Sequence, residues 1–589
     1  MNDLVQIVLN FKDRFLTNSQ FIALVSALIG LLVGFAAVAI KNSVHFIQTF
    51  IKSGTLAHYN HSVYFILPMI GIALVLVFIK YILRKPIYHG IPNLLYSIAE
   101  TRGHIKKHNL FSSIIASAFT VGFGGSVGLE GPTVATGAAY GSAVSLGLKI
   151  PYKQVILMLG AASAAALSAI FKAPLAGVVF AMEVIMIDLT VSSVVPLIIA
   201  SVTAILTSYF FMGTEVLYHF DLKEMYKMSD LPYFALLGII TGLLSLYFTK
   251  VYLFLNVIFK KLKNIWVRLL LGGSLLGALI YLFPALYGEG YEVINQALNG
   301  NLNAVIESPL LSYFVDNPLL VFLVVFLVIL LKSFATSLTI ASGGVGGIFA
   351  PTLFNGSIIG LLFAQLMTHF GKYLPASNFA LVGMAGTIAG VLHAPLTAIF
   401  LIAEISGGYQ LLIPLMIVSL ISFITTRAFM SKSVYTFQLA ERGQLLTHHA
   451  DNNILKMMDV RSLLETDFKS VKPDAKLRDL VDAIQQSNRN IFPVVDEAGV
   501  FKGMISMEDV RKIIFKPQLY YSVTVDSLMI QPQVTILPNE TMNSIASKLH
   551  KTSYYNIPVL DDNNHYLGFV SRANVFSEYR KLLKDFSSE

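Results

Sequence analysis

Two glycine-rich decapeptides constrain this chain more than any other feature. Gly124–Thr133 (GGSVGLEGPT) and Gly343–Thr352 (GGVGGIFAPT) align without a gap, matching at both leading glycines, the fifth glycine, the proline and the threonine. Each interrupts strongly apolar sequence, and each places proline where a helix would start. Irregular backbone at bilayer depth is tolerated only where it is buried in protein or lines a water-filled cavity. Helix starts aimed at such a cavity suit an anion, because their free N–H groups and positive dipole ends point inward. The motif pair therefore implies a membrane protein that moves anions.

Composition supports a membrane location: 55% of the 589 residues are hydrophobic and only 13% are charged. Apolar runs at Phe21–Ile40, Val63–Leu83, Val194–Met212, Phe234–Leu255 and Pro318–Leu331 approach or reach the roughly 20 residues that span a bilayer. Shorter pieces, Pro132–Leu148 and Pro174–Ile187, predict tilted or partial helices. The first 20 residues carry Asp3, Lys12, Asp13 and Arg14. They read as an amphipathic lead-in helix on the cytoplasmic side, not as a cleaved signal. Cysteine is absent, which excludes disulfides and thiolate metal sites.

Charge divides the chain. From residue 451 onward there are 17 basic and 18 acidic side chains, and the preceding part carries 25 and 16, a net +9. Basic residues near span ends mark cytoplasmic loops. They are dispersed over loops and not gathered on one face, so no nucleic-acid partner is expected.

The loop match extends into a longer repeat. Ala173–Glu183 (APLAGVVFAME) begins 41 residues after Pro132, and Ala394–Glu404 (APLTAIFLIAE) begins 43 after Pro351. Two motifs in the same order at near-equal offsets indicate duplicated halves, as in transporters whose binding site lies at the repeat interface. Glu183 and Glu404 end the duplicated helices symmetrically and read as structural carboxylates. Asp188 is read as a helix-end cap.

A second duplication occupies the tail. Pro473/Pro538, Pro493/Pro558, Asp496/Asp561, Gly503/Gly568 and Ser506/Ser571 are each 65 residues apart. Each unit predicts a helix (Leu477–Gln485; Met542–Leu549), a strand (Phe492–Val495; Ile557–Leu560), an acidic turn, a strand (Phe501–Ile505; Tyr566–Val570) and a helix. The expected boundaries are 1–440 for the membrane domain, 441–453 for a polar linker and 454–589 for a soluble α+β pair.

Together, Gly90-Ile91-Pro92, Gly128-Leu129-Glu130-Gly131-Pro132, Gly347-Ile348-Phe349-Ala350-Pro351 and Tyr435 resemble the four anion-site segments of the CLC chloride channel and transporter family. The tail resembles a CBS domain pair. The resemblance implies a multi-pass all-α membrane domain of two inverted repeats with broken helices, a cytoplasmic tail and N-terminus, and a homodimer in the lipid bilayer. It assigns gating to Glu130. It assigns anion binding to His89, Gly90, Ile91, Gly128, Leu129, Gly131, Gly347, Ile348, Phe349, Ala350 and Tyr435.

The residues support those roles independently. Proline in a first helical turn leaves neighbouring amides unpaired, and the Tyr435 hydroxyl is a further donor. A carboxylate among positive helix ends is functional by default: Glu130 can mimic the anion, and protonation or competition by chloride would release it.

Three positions depart from the family pattern. His89 precedes Gly90 where a serine or proline is common, and it brings a group that titrates near neutrality. Leu129 replaces a basic residue. Val184 stands where proton-exchanging members often carry an internal glutamate, which tilts the expectation toward passive chloride conduction, with chloride/proton antiport as the alternative.

In the tail, Ser506 and Asp509 match positions that contact a nucleotide ribose, with Ser571 as the second-unit counterpart. The resemblance offers one adenine-nucleotide site there, with a purely structural, dimer-stabilising CBS pair as the equal alternative, and no cofactor is required for transport. An intramembrane metalloprotease would need HExxH, which is absent. A CBS-bearing cation transporter would need several carboxylates along its route, and the glycine loops hold Glu130 alone. No enzymatic chemistry is expected.

Overall fold

The computed structural model describes residues 10, 12, 14–53, 63–87, 90–185, 191–214, 225–306, 317–441, 455, 458–552 and 554–587. The chain forms two compact units, Met1–Leu445 and Leu446–Glu589. His89, Asp188, most of the lead-in segment and nearly all of the linker lie outside the described residues.

Among the described residues, the regular elements of the first unit are helices. Its first half runs α1 (Asn18–Ser53), α2 (Val63–Val77, continued by a π-helical turn to Leu83), α3 (Gly90–Glu100), α4 (Ser112–Gly122), α5 (Glu130–Gly147), α6 (Tyr152–Phe171), α7 (Pro174–Val184) and α8 (Val191–Met212). The second half repeats the series as α9 (Leu231–Lys261), α10 (Ile265–Leu282), α11 (Tyr291–Leu298), α12 (Pro318–Ala341), α13 (Phe349–His369), α14 (Ala376–Leu392), α15 (Pro395–Ile405) and α16 (Leu412–Phe429). A final helix, α17 (Val434–Glu441), follows. Packing repeats with the order: α1 lies on α6 and α8, as α9 lies on α14 and α16, and α5 packs on α6 as α13 packs on α14.

The two halves run in opposite directions. Gly128 and Gly347 form an antiparallel bridge in which each amide donates to the other's carbonyl, at 2.8 and 2.7 Å. Flanking it, the Ser126 amide donates to the Thr339 hydroxyl (3.1 Å), and the Val345 amide donates to Thr120 (2.9 Å). These contacts are exchanged by swapping the halves. Gly124 and Gly343 enter the loops with φ of +94° and +110°, a region that only glycine occupies without strain.

Among the described residues, nine helices are long and apolar enough to cross a membrane. The predicted spans sit within them, and Val63–Leu83 agrees at both ends. Helices α4, α7 and α15 have 11 residues each and are about 16 Å long, half of a hydrocarbon core. The predicted partial helix at Pro132 starts two residues earlier, so Glu130 is the first helical residue and Pro132 the third.

Glu183 and Glu404 close the ends of these half-spans. Glu183, at the end of α7, accepts from the α15 amides of Leu396 (3.0 Å) and Thr397 (2.7 Å) and from the Thr397 hydroxyl (2.7 Å). Glu404, at the end of α15, accepts from the α7 amides of Leu175 (3.0 Å) and Ala176 (2.9 Å). Each carboxylate satisfies orphan donors of its partner helix. Glu183→Ala is therefore expected to lose about 1–3 kcal/mol, read as a lower melting temperature in detergent. The pH profile of transport should stay in place, and a displaced profile would assign Glu183 a part in permeation.

The second unit holds the two strand–helix repeats. The first has α18 (Leu477–Gln485), β1 (Ile491–Val495), β2 (Phe501–Ser506) and α19 (Met507–Val510). The second has α20 (Met542–Lys551), β3 (Asn556–Leu560), β4 (Tyr566–Ser571) and α21 (Arg572–Ser587). Each hairpin is antiparallel, with a register break at Val494/Val495 and, 65 residues on, at Val559/Leu560. The hairpins meet through the Phe501 amide on the Asn564 carbonyl (2.9 Å) and the Tyr566 amide on the Gly499 carbonyl (3.1 Å).

Candidate functional site

The convergence of broken helices predicted from the glycine loops is present. The starts of α3 and α5, the loop leading into α13, and α17 border one cavity, with about 30 Å³ of internal room. A single water-sized sphere needs only about 10–15 Å³. Gly90, Ile91 and Pro92 line it from α3, Gly131 from α5, and Gly346, Gly347 and Ile348 from the second glycine loop. The helix starts of α3 and α5 and the N-cap of α13 turn their dipole ends to the wall and make it electropositive without a cationic side chain, while the Gly347 amide is held by the Gly128 carbonyl.

Close backbone approach explains the glycines. A Cβ on Gly90 would lie 3.0 Å from the Gly131 carbonyl oxygen, and one on Gly347 would lie 2.9 Å from the Gly131 nitrogen. Gly128 is special in another way: its missing Cβ is the space the Glu130 carboxylate fills, together with the methyl of Ala350.

Glu130 is 2% exposed. Its Oε1 accepts a hydrogen bond from the Tyr291 hydroxyl at 2.5 Å. Its Oε2 is buried without a hydrogen-bond partner, and Lys41 attracts the carboxylate from α1. A carboxylate thus occupies the confluence of helix starts, where an anion would be held.

Tyr435, 7% exposed, lines the cavity from the first turn of α17. Two residues not singled out from the sequence join it. Tyr252 of α9 lines the same wall, and Gln438 of α17 donates to the Tyr252 hydroxyl at 3.1 Å. Tyr252 belongs to the run Phe234–Leu255, read from sequence as a plain span, and one tyrosine in an apolar run carries no distinguishing signal.

Residues 71–427 match the family model described as "Voltage gated chloride channel". The chain belongs to the CLC family. CBS domains match at residues 460–516 and 525–581.

Among CLC relatives, a putative chloride channel protein ClcB-like from Ralstonia nicotianae is 30% identical over 375 residues, which are 62% of this chain and 81% of that protein. The voltage-gated ClC-type chloride channel ClcB from Citrobacter koseri is 30% identical over 335 residues, 56% of this chain and 75% of that protein. Solved structures share the CLC fold. A slow cyanobacterial Cl−/H+ antiporter superposes with a TM-score of 0.61 at 23% identity, covering 72% of this chain and 97% of its own. A eukaryotic CLC transporter gives 0.60 at 18%, covering 94% and 97%.

Within this CLC frame the other predicted site residues are distributed as follows. Phe349 is 1% exposed, and its ring packs on Phe171 at 5.3 Å. Ala350 abuts the Glu130 carboxylate. The Leu129 amide, expected to face an anion, instead donates to Glu289 Oε1 at 3.2 Å. A protein carboxylate already occupies that donor, because the loop before α11 folds against the first glycine loop. In the CBS unit, Ser506 and Asp509 exchange bonds as a capping box for α19 (Glu508 amide to Ser506 Oγ 3.1 Å; Ser506 amide to Asp509 Oδ2 3.2 Å). Ser571 donates to Glu465 and accepts from the Asn574 amide at 3.1 Å.

A set of charges around Glu130 carries little signal in the sequence. Lys332 on α12 is fully buried, Glu289 precedes α11, and Lys41 sits on α1. One signal was present: a lysine within the 24-residue apolar helix Pro318–Ala341. Intramembrane charge is functional by default, but the apolar run as delimited from sequence stopped at Leu331, one residue short.

Proposed function

We propose that this CLC protein carries chloride along a path through the cavity between α3, α5, the α13 loop and α17, with Glu130 as its gate. The observation that carries this reading is the position of the Glu130 carboxylate, seated between Gly128 and Ala350 at the meeting of helix starts. With the side chain in place, a carboxylate takes the electropositive berth and the route is shut. Protonation removes its charge and with it the attraction of the positive helix ends, and a competing chloride takes the berth instead. Tyr435 and the amide of Ile348 are the donors assigned to the permeating ion, the Gly347 amide being held by the Gly128 carbonyl.

Val184 supports passive conduction as the mode. An apolar side chain cannot relay a proton, and α7 places it next to Glu183, whose carboxylate is already held by α15. Exchange of chloride for protons is the second reading, in keeping with the antiporters among solved structures that share the fold. Liposomes loaded with chloride decide between them. A chloride gradient is expected to move chloride without uphill proton movement, and proton uptake against its own gradient, abolished by Glu130→Ala, would replace conduction with exchange.

The protein is further proposed to act as a homodimer with its N-terminus and CBS pair in the cytoplasm. At the CBS pair, an adenine nucleotide is proposed near Ser506, Asp509 and Ser571. Calorimetric titration of the full chain with ATP tests it, and a flat titration would leave those side chains to the capping bonds described above.

A further inference from the structure

Between α10 and α11 the chain makes a short loop whose contacts converge on the gate. The Gly288 amide donates to the Gly124 carbonyl at 3.1 Å. Glu289 accepts from the Leu129 amide at 3.2 Å, and Tyr291, the first residue of α11, donates to Glu130 at 2.5 Å. Three successive parts of this loop thus hold the first glycine loop at its entry, at the residue before the gate and at the gate itself.

The loop is anchored from behind by an unusual group. Lys332 has no exposed surface, yet its ammonium sits among apolar helices. It donates to the Leu286 carbonyl (3.3 Å) and the Gly288 carbonyl (3.0 Å) and lies 4.7 Å from the Phe354 ring centroid. A buried cation is retained only where such contacts replace water. Removing them would release the two carbonyls that shape the turn.

We propose that the Leu286–Tyr291 loop, pinned by Lys332, is a latch on the gate: Tyr291 holds the Glu130 carboxylate in the anion berth, and Glu289 fixes the backbone that carries it. Tyr291 is then a positioning residue that sets how readily Glu130 yields to a proton or to chloride. The latch rests on the assignment of Glu130 as gate and adds what restrains it. The fold's internal symmetry gives the loop its place. By chain order α11 is the repeat mate of α3, so one half offers its helix start to the cavity wall and the other offers its helix start to the gate.

Several charged or titratable groups act on Glu130 from the packed elements. They are Lys41 on α1, Glu289 and Tyr291 at the loop, and Tyr435 on α17, with Lys332 on α12 acting through Glu289. Deleting the Tyr291 hydroxyl leaves the others in place. A hydrogen bond to an ionised group favours the ionised form by about a factor of ten. Its loss should therefore let Glu130 take up a proton, and open, at higher pH.

Chloride efflux from proteoliposomes, measured over a pH series for wild type, Tyr291→Phe, Glu130→Ala and the double variant, tests the latch. Tyr291→Phe is expected to move the pH of half-maximal flux about one unit toward alkaline. The double variant should match Glu130→Ala. A Tyr291→Phe profile that overlies wild type overturns the proposal, as does an equal slowing by Tyr291→Phe with and without Glu130, which marks a merely structural tyrosine. Should Glu130→Ala alone leave flux and profile unchanged, gate and latch fall together. Lys332→Met, checked for a monodisperse elution profile, should displace the profile in the same direction, and Tyr291→Phe decides the matter if that variant fails to fold.

Discussion

Glu130→Ala is expected to raise chloride flux at neutral and alkaline pH and to flatten its dependence on pH. The alanine methyl vacates the space between Gly128 and Ala350 and leaves that berth at the meeting of helix starts to a permeating anion. A route shut by one titrating carboxylate changes its open fraction by up to about tenfold per pH unit on the alkaline side of its midpoint. Without the carboxylate that slope should vanish, leaving only the weak effect of Lys41 and Glu289 on ion entry. Flux assays in liposomes across an acid-to-alkaline series, normalised to incorporated protein, measure both changes. A variant that retains the wild-type slope would place the titrating gate elsewhere. Glu130→Gln separates charge from bulk: it should flatten the slope as well but conduct less, because the amide still fills the berth.

What the sequence revealed of this site, and what it hid, follows from how each residue signals its role. Glycine loops read clearly because backbone contact demands them: Gly128, Gly131 and Gly347 leave room that any side chain would take. Their duplication at a constant offset showed which loop ends must meet, and Glu130 stood out as a carboxylate inside such a loop. Duplication also located Glu183 and Glu404, and the structure supplies their partners as each other's helix starts. The tail hairpins were legible for the same reason, and their strands extend only one residue beyond the predicted ends. Tyr291, Glu289 and Lys332 were hidden because their meaning is tertiary. Tyr291 and Glu289 lie roughly 160 residues from the glycine loop they touch, and no repeat marks them. Leu129 shows the converse. It was assigned to the anion site on the family pattern, and the Glu289 carboxylate takes its amide.

Gly347→Ala is expected to remove most transport and to lower stability, and it tests the convergence of the two halves most directly. A methyl there would lie 2.9 Å from the Gly131 nitrogen and 3.3 Å from its Cα. Both are backbone atoms inside the start of α5, so neither can rotate aside. The starts of α5 and α13 must then separate, and the mutual bridge between Gly128 and Gly347 lengthens or breaks. Overpacking of this kind costs about 1–3 kcal/mol, and loss of two buried backbone hydrogen bonds adds to it. Transport suffers more than stability, because the same displacement spreads the amides that have to meet one ion. Gly128→Ala, at the mate position, gives the contrast. Its methyl meets chiefly the Glu130 carboxylate, the end of a flexible side chain, and the Ala350 methyl at 2.9 Å. Eviction of the carboxylate relieves most of that clash, so Gly128→Ala should resemble Glu130→Ala, with raised flux at alkaline pH. Paired flux and melting measurements on the two variants give opposite signs in flux if the loops meet as described. Two equally mild losses would mean that the helix starts do not share an ion.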